Sequence, residues 1–401
     1  MNYKAHEIRL YPSSSQEIFF KKSCGVARFS FNWALNEWKL MCDIGEYPSA
    51  YTLIKKLNSI KRTHFSWMLE SGKCAPQYSI HNLEKAFKSY FTNKSSYPKF
   101  KKKGIKDSFV SIENTKAFKQ QNLKLWIPRL GWVKCAENLR FFGKVNRVTI
   151  KRVADKWFAV IGVEIIKELP KKSPSISKSQ AIVGVDLGIK SMCVVSDGTV
   201  FKNPKALRFY IKKLKREQRW MSRKVKGSNN RTKQRMKVAR LHYRITCVRL
   251  NALHNATSFI VNNFQTIVLE NLNVGGMIKN RKLSQAITDA SFSEFRRQVE
   301  YKAMWQRKEV IIADRFFASS KICSCCGHKK NMLRLSDRVF NCEKCGFKID
   351  RDLNAAKNLA EYGSTLKLSE SNACGEGDSL HNIVNSPSMK QEVGLFNNVN
   401  Y

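Results

Sequence analysis

The stretch FNCEKCGFKIDRDLNAAKNL, residues 340–359, decides how the C-terminal half of this chain is read. A Cys-x-x-Cys pair, Cys342 and Cys345, runs almost directly into two acids, Asp350 and Asp352, and then into a segment of helical periodicity. Stepped at about 100° per residue from Arg351, the residues Leu353, Ala355, Ala356, Leu359 and Ala360 fill one continuous arc. Asp352 projects inside that arc, while Asp350 projects on the other side with Asn354, Lys357 and Glu361. The two acids are therefore not equivalent. Asp350 suits an N-cap that accepts hydrogen bonds from free backbone amides. Asp352 points toward a core, where an ionised carboxylate is costly unless a cation or hydrogen-bond donors meet it. Taken alone, it fits better as a first-turn acid favoured by the helix dipole.

Upstream, Cys323 and Cys326 repeat the two-residue spacing, with fifteen residues between the pairs and a glycine after each, Gly327 and Gly346. Four thiolates in two such knuckles close a tetrahedron around Zn²⁺ and leave no position for water, so the zinc expected here is structural. Cys325 is a further thiol inside the first knuckle, and the spacing favours Cys326 as the ligand. Unligated buried cysteines would not account for two paired knuckles.

Two more acids follow apolar runs: Asp186 in Gly184-Val185-Asp186-Leu187-Gly188 and Glu270 after Ile267-Val268-Leu269. A lone acid at a strand end is commonly a loop-facing polar residue. Three acids on separate buried elements, Asp186, Glu270 and Asp352, could instead converge to hold Mg²⁺. Hard cations take carboxylate oxygens, and two ions a few ångströms apart clamp both oxygens of a phosphodiester displacement.

Charge points to the substrate class. The 401 residues carry 73 Lys and Arg against 31 Asp and Glu, a formal net charge of +42. That surplus repels itself and calls for a polyanion, and because it recurs along most of the chain it suggests a long nucleic-acid channel rather than a basic tail. No apolar stretch approaches the length of a membrane span, and MNYKAHEIRL lacks the apolar core of a signal peptide. Twelve cysteines in such a chain read as reduced thiols and metal ligands, and the expected location is cytoplasmic.

The texture of the chain divides it. Residues 1–12 alternate as a strand, and a capping box from Ser14 to Glu17 opens a helical region over 13–92. Short strands dominate 93–178, where a small barrel that includes the first strand is expected. The Pro/Ser/Lys-rich KELPKKSPSISKSQ, 167–180, reads as a linker. Beyond it come a buried strand, a hairpin turning at Asp197-Gly198, and a basic helical section over 204–263 broken near KGSNN. Its first half carries a packing stripe of Leu207, Ile211, Leu214, Met221 and Val225. QTIVLENLNV reads as a strand, 285–306 as a helix and EVIIADRF as a further strand. Residues 363–401 are polar and without periodicity, and read as a disordered tail.

GVDLG at 184–188, LENL at 269–272, the four-cysteine ribbon and DRDLNAAKNL at 350–359 stand in the order of the TnpB/OrfB family. These proteins are encoded by bacterial and archaeal insertion sequences and are related to type V CRISPR effectors. RLYPSSSQE, ARFSFNWAL, YPKFKKKG and IPRLGWVK extend the similarity over nearly the whole chain. Cys325 is an added thiol, and Ala318 stands where the family leads one to expect proline. The resemblance implies a multi-domain α+β RNA-guided DNA endonuclease. A helical recognition domain (13–92) and a wedge-type β-barrel (1–12 and 93–178) would precede a RuvC-like, ribonuclease-H-type nuclease domain (179–318 and 349–362). The zinc ribbon (319–348) would interrupt that nuclease domain. Asp186, Glu270 and Asp352 would be the catalytic Mg²⁺ ligands, with two ions expected. The partners would be a guide RNA from the element's end and a double-stranded DNA target, with a monomer favoured. Pairing would read sequence while protein reads shape and an adjacent motif.

Three other readings remain: an RNA-guided DNA-binding repressor without nuclease activity, a transposase joining strands with the same acids, and a zinc-ribbon RNA-binding protein. The first should have lost an acid of the triad. The second differs only in its nucleophile, a DNA 3′-hydroxyl in place of water. The third leaves Asp186 and Glu270 unexplained.

Overall fold

The computed structural model describes residues 3–112, 118–165, 182–334 and 337–373. The linker expected at 167–180 lies outside them, as does the tail from residue 374. Strand β1 (Tyr3–Tyr11) leads into helix α1 (Ser14–Asp43), which is followed by α2 (Ala50–Ile60) and α3 (Cys74–Phe91). The capping box sits one residue earlier than expected: Ser13 accepts from Gln16 N, and the Gln16 side chain returns to Ser13 N. In the run Ser13-Ser14-Ser15 the hydroxyl alone does not choose the cap. Gln16 is the more securely held partner, because its Nε2 also donates to Trp132 O at 3.0 Å.

Six strands follow: β2 (Ser108–Ile112), β3 (Gln120–Gln121), β4 (Lys124–Ile127), β5 (Gly131–Cys135), β6 (Lys144–Val153) and β7 (Lys156–Glu164). With β1 they form a seven-stranded antiparallel sheet in the order β2-β6-β7-β1-β5-β4-β3. The first strand is thus central, with Tyr3 opposite Glu164 and Leu10 opposite both Trp157 and Cys135. Helices and sheet share one hydrophobic core: Phe20, Leu35, Leu53 and Leu83 pack in the same cluster as Leu10, Leu125, Val148 and Ile161. The boundary expected near residue 93 separates element types, not cores.

The second sheet contains β8 (Ile182–Leu187), β9 (Ser191–Val195) and β10 (Val200–Lys202), then β11 (Thr266–Leu269) and β12 (Glu309–Ile312), in the order β10-β9-β8-β11-β12. The β9–β10 turn is the expected Asp-Gly turn, with Gly198 N donating to Val195 O. β8, β11 and β12 are parallel neighbours, the arrangement that buries both faces. Between β10 and β11 run α4 (Ala206–Ser222) and the 35-residue α5 (Asn229–Asn263). The first half of α5 pairs with α4 through Leu214, Met221, Val238 and Leu241. Its second half covers one sheet face, with Leu253, Ala256 and Ile260 against Val183, Val185, Ile267 and Leu269. Val225, expected on the stripe, lies beyond the end of α4 and is 77% exposed.

After β11 come α6 (Val274–Lys279), α7 (Ser284–Ala290) and α8 (Phe292–Trp305), so the single helix expected over 285–306 is broken. The break is Ser291, held at φ 56°. Just before it, buried Asp289 accepts from Leu207 N and Arg208 N at the start of α4 and from Arg249. The short strands β13 (Val339–Asn341) and β14 (Lys348–Asp350) belong to the cysteine ribbon, and α9 (Arg351–Ala373) covers the other sheet face. α9 continues through 363–373, where disorder was expected. Gly363 reads as a helix breaker in sequence, yet it is buried where a Cβ would meet Val268 Cγ2 at 2.5 Å. It is small because the helix lies directly on the sheet.

Candidate functional site: a cysteine ribbon and three carboxylates

The two knuckles share one local geometry. Gly327 N donates to Cys323 O and Cys323 N to His328 O, and Gly346 N donates to Cys342 O and Cys342 N to Phe347 O. Gly327 and Gly346 both sit at φ 72°, a conformation that glycine adopts at no steric cost. The pairs turn their thiols toward a common centre: Cys323 Sγ lies 3.8 Å from Cys345 Sγ, and Cys326 Sγ lies 3.6 Å from Cys342 Sγ. A tetrahedral ion with metal–sulfur bonds of about 2.3 Å spaces its sulfurs about 3.8 Å apart, so the donor set fits zinc. The amide of Cys345 pulls the Cys342 thiol down to about 6, while the Cys326 and Cys345 thiols that share its hydrogen bonds are pushed up, so the fit to zinc rests on the sulfur geometry. Cys325 is exposed and is not one of this group.

The carboxylates are placed by sheet register. β8 and β11 pair in parallel with Gly184 beside Val268 and Val185 beside Leu269, so the next residues are Asp186 on β8 and Glu270 just past the end of β11. Strand spacing there is about 4.8 Å. Gly184 and Val268 both face α9: a Cβ on Gly184 would fall 2.0 Å from Ala356 O, and Val268 abuts Gly363. Two residues further on, Asp186 and Glu270 return to that same face. Asp352 lies one turn before Ala356, so α9 brings the third acid to the ends of these two strands. Asp350 caps the helix, its Oδ1 accepting from Asp352 N at 3.0 Å and Leu353 N at 3.1 Å.

The carboxylates also act on one another electrostatically. Burial pushes the Asp186 carboxyl well above its ordinary range, and Glu270 and then Asp352 push it further. Burial also raises Glu270; a hydrogen bond from Ser319 opposes that rise, and Asp352 adds to it. Asp352 is met by Arg351, with Nη2 to Oδ1 at 3.3 Å. Among the described residues only the four cysteines bring three or more ligand atoms within 4.8 Å of one another, so the carboxylates form a looser cluster. Clustered acids held partly away from water are a donor set that a divalent cation would relieve, and Mg²⁺ fits their hard oxygens.

Sequence reading missed the residues that join ribbon and acids. Asn354, Asn358 and Ser319 are buried. Asn354 and Asn358 donate to Ile322 O, each at 2.6 Å, and Ser319 donates to Glu270 Oε1. Helical phase set Asn354 apart from the apolar arc but gave no sign that the ribbon covers it. Elsewhere, a cleft of about 880 Å³ between α3 and the β2–β6 edge is lined by Lys85, Lys88, Lys94, Lys101 and Arg147 beside Tyr78. Burial pulls the Lys101 ammonium down to about 8, and it sits 3.8 Å over the Phe31 ring.

Against this geometry, comparison with known proteins is specific. A protein of Escherichia coli (strain K12) named "Putative RNA-guided DNA endonuclease InsQ" is 32% identical over 393 residues, 93% of this chain and 94% of its own. This chain belongs to the TnpB/OrfB family. A Streptomyces pristinaespiralis TnpB/OrfB relative, named "Putative RNA-guided DNA endonuclease", is 34% identical over 382 residues, 93% of this chain and 91% of its own. Family profiles match at 163–281 ("Probable transposase"), 292–359 ("Cas12f1-like, TNB domain") and 1–41 ("Helix-turn-helix domain"). In this TnpB/OrfB protein the last span is strand β1 followed by most of the single helix α1, so its description does not match the geometry. A solved Cas12f1–sgRNA–target DNA complex contains a chain 20% identical, covering 90% of this chain and 99% of that one. Its TM-score is 0.33, a superposition too loose to argue from.

Proposed function

We propose that this protein is an RNA-guided DNA endonuclease of an insertion sequence, cutting target DNA by Mg²⁺-dependent phosphodiester hydrolysis. The observation that carries the proposal is the arrival of Asp186, Glu270 and Asp352 at one end of the β8–β11–α9 layer, in a chain of net charge +42. In this reading the second sheet with α5, α8 and α9 is a RuvC-like nuclease domain, and the seven-stranded sheet is the wedge-type barrel. The relatives' names and the basic surface both support a guide RNA and a DNA target as partners.

Asp186, Glu270 and Asp352 would hold two Mg²⁺ ions, which supply an activated water and neutralise the leaving oxygen. The chain's own part is positional. Parallel register fixes Asp186 against Glu270, and the Gly184 contact seats α9 so that Asp352 completes the set. The Cys323, Cys326, Cys342 and Cys345 site would hold structural Zn²⁺. No helix among the described residues is long and apolar enough to cross a membrane.

The test is to co-express the chain with RNA from its element's end, purify the complex and supply matched double-stranded DNA. Cleavage that requires both the matched guide and Mg²⁺ is expected. Guide-dependent binding without cleavage would favour the repressor, and products joined through a DNA 3′-hydroxyl would favour the transposase.

A further inference from the structure

Ser319 stands at the entry to the ribbon, four residues before Cys323, and is 5% exposed. Its hydroxyl donates to Glu270 Oε1. The backbone around it is fixed from both sides. Ser319 N donates to Phe317 O at 2.9 Å, and Ser319 O accepts from Asn358 Nδ2 at 2.6 Å. That same Nδ2 spends its second hydrogen on Ile322 O, which also accepts from Asn354. Asn354 Oδ1 in turn accepts from Ser324 N at 3.0 Å. Cys323 lies between Ile322 and Ser324, so one face of α9 grips the first knuckle on both sides of its first thiol. Glu270, the knuckle and the helix carrying Asp352 therefore form one hydrogen-bonded unit, with Ser319 as its only direct contact to Glu270 among the described hydrogen bonds.

Resting on the reading of the three acids as Mg²⁺ ligands, we propose that Ser319 is a positioning residue for Glu270. Its hydroxyl occupies one carboxylate oxygen and restrains rotation of the carboxylate, which would keep the other oxygen open to a cation; the ribbon entry and Asn358 hold the Ser319 backbone in place. Such outer partners of a metal ligand set its orientation, and their loss typically weakens metal binding about 10- to 100-fold. An alanine at 319 would leave Glu270 buried, less well oriented and facing Asp352.

The experiment uses the full chain with its guide RNA and Mn²⁺ as the probe. Mn²⁺ is titrated by electron paramagnetic resonance, and the ions bound by RNA are measured in the Asp186→Ala complex. Ser319→Ala is expected to weaken the protein-dependent Mn²⁺ sites about 10- to 100-fold. It should raise the Mg²⁺ needed for half-maximal cleavage by a similar factor, with guide affinity and zinc content unchanged. Ser319→Thr keeps the hydroxyl and should remain close to wild type. Ser319→Ala binding Mn²⁺ like wild type, or Ser319→Thr as weak as Ser319→Ala, would overturn the proposal. If wild type and Asp186→Ala bind Mn²⁺ alike, the metal site itself is misassigned, a separable failure.

Discussion

Asp186 bears a charge that the fold alone does not accommodate. It is raised by burial and by two neighbouring carboxylates, so without Mg²⁺ its ionised form opposes folding. Asp186→Asn should therefore stabilise the magnesium-free, zinc-loaded protein at neutral pH, while abolishing cleavage. The sign with pH follows from linkage. The folded state holds this proton to higher pH than the unfolded chain does, so the stability this group contributes is full below an ordinary aspartate pKa of about 4 and is lost as pH rises through the raised value. The stability gap between variant and wild type should open with rising pH; thermal melts across that range check it. Helical phase alone separated Asp350 from Asp352, because a cap and a half-buried first-turn acid two residues on differ by about half a turn around the axis. It did not find Asn354 or Asn358. Phase says which residues leave the apolar arc, but not that an inserted ribbon buries that side.

The α9–β8 contact is the element on which the site depends most. A Cβ at 184 would sit 2.0 Å from Ala356 O and 2.5 Å from Ala360 N, both backbone atoms that move only with the whole helix. Gly184→Ala should cost about 1–3 kcal/mol, as overpacking does, and should lower cleavage beyond what lost stability explains, because Asp352 rides on the displaced helix. Denaturant melts beside single-turnover cleavage separate the two effects. Strands, hairpin and ribbon were legible because alternation, Asp-Gly and Cys-x-x-Cys are local signals. The extension of α9 past Tyr362 was not, since Gly363 is chosen by a tertiary contact and reads as a breaker. The α7–α8 break was hidden for a similar reason: Asp289 answers to α4 and Arg249, which lie far from it in sequence.

Over the whole molecule, a net charge of +42 has to be met by a partner. Guide RNA affinity should fall about 10³-fold or more between 50 and 200 mM salt, as expected when six or more phosphates are contacted; filter binding over that range measures the slope. The order of motifs along the chain was enough to assign the family. It could not show that α1–α3 share a core with the seven-stranded sheet, because core sharing depends on long-range packing that periodicity does not encode. The central claim is that Asp352 is a metal-binding acid of the nuclease centre while Asp350, two residues away, is a cap. Its most direct test is single-turnover, Mg²⁺-dependent cleavage of guide-matched DNA by the Asp352→Ala and Asp350→Ala complexes. Asp352→Ala should abolish cutting with RNA binding intact, and Asp350→Ala should cut while losing about 1 kcal/mol of stability. Full cutting by Asp352→Ala would contradict the account.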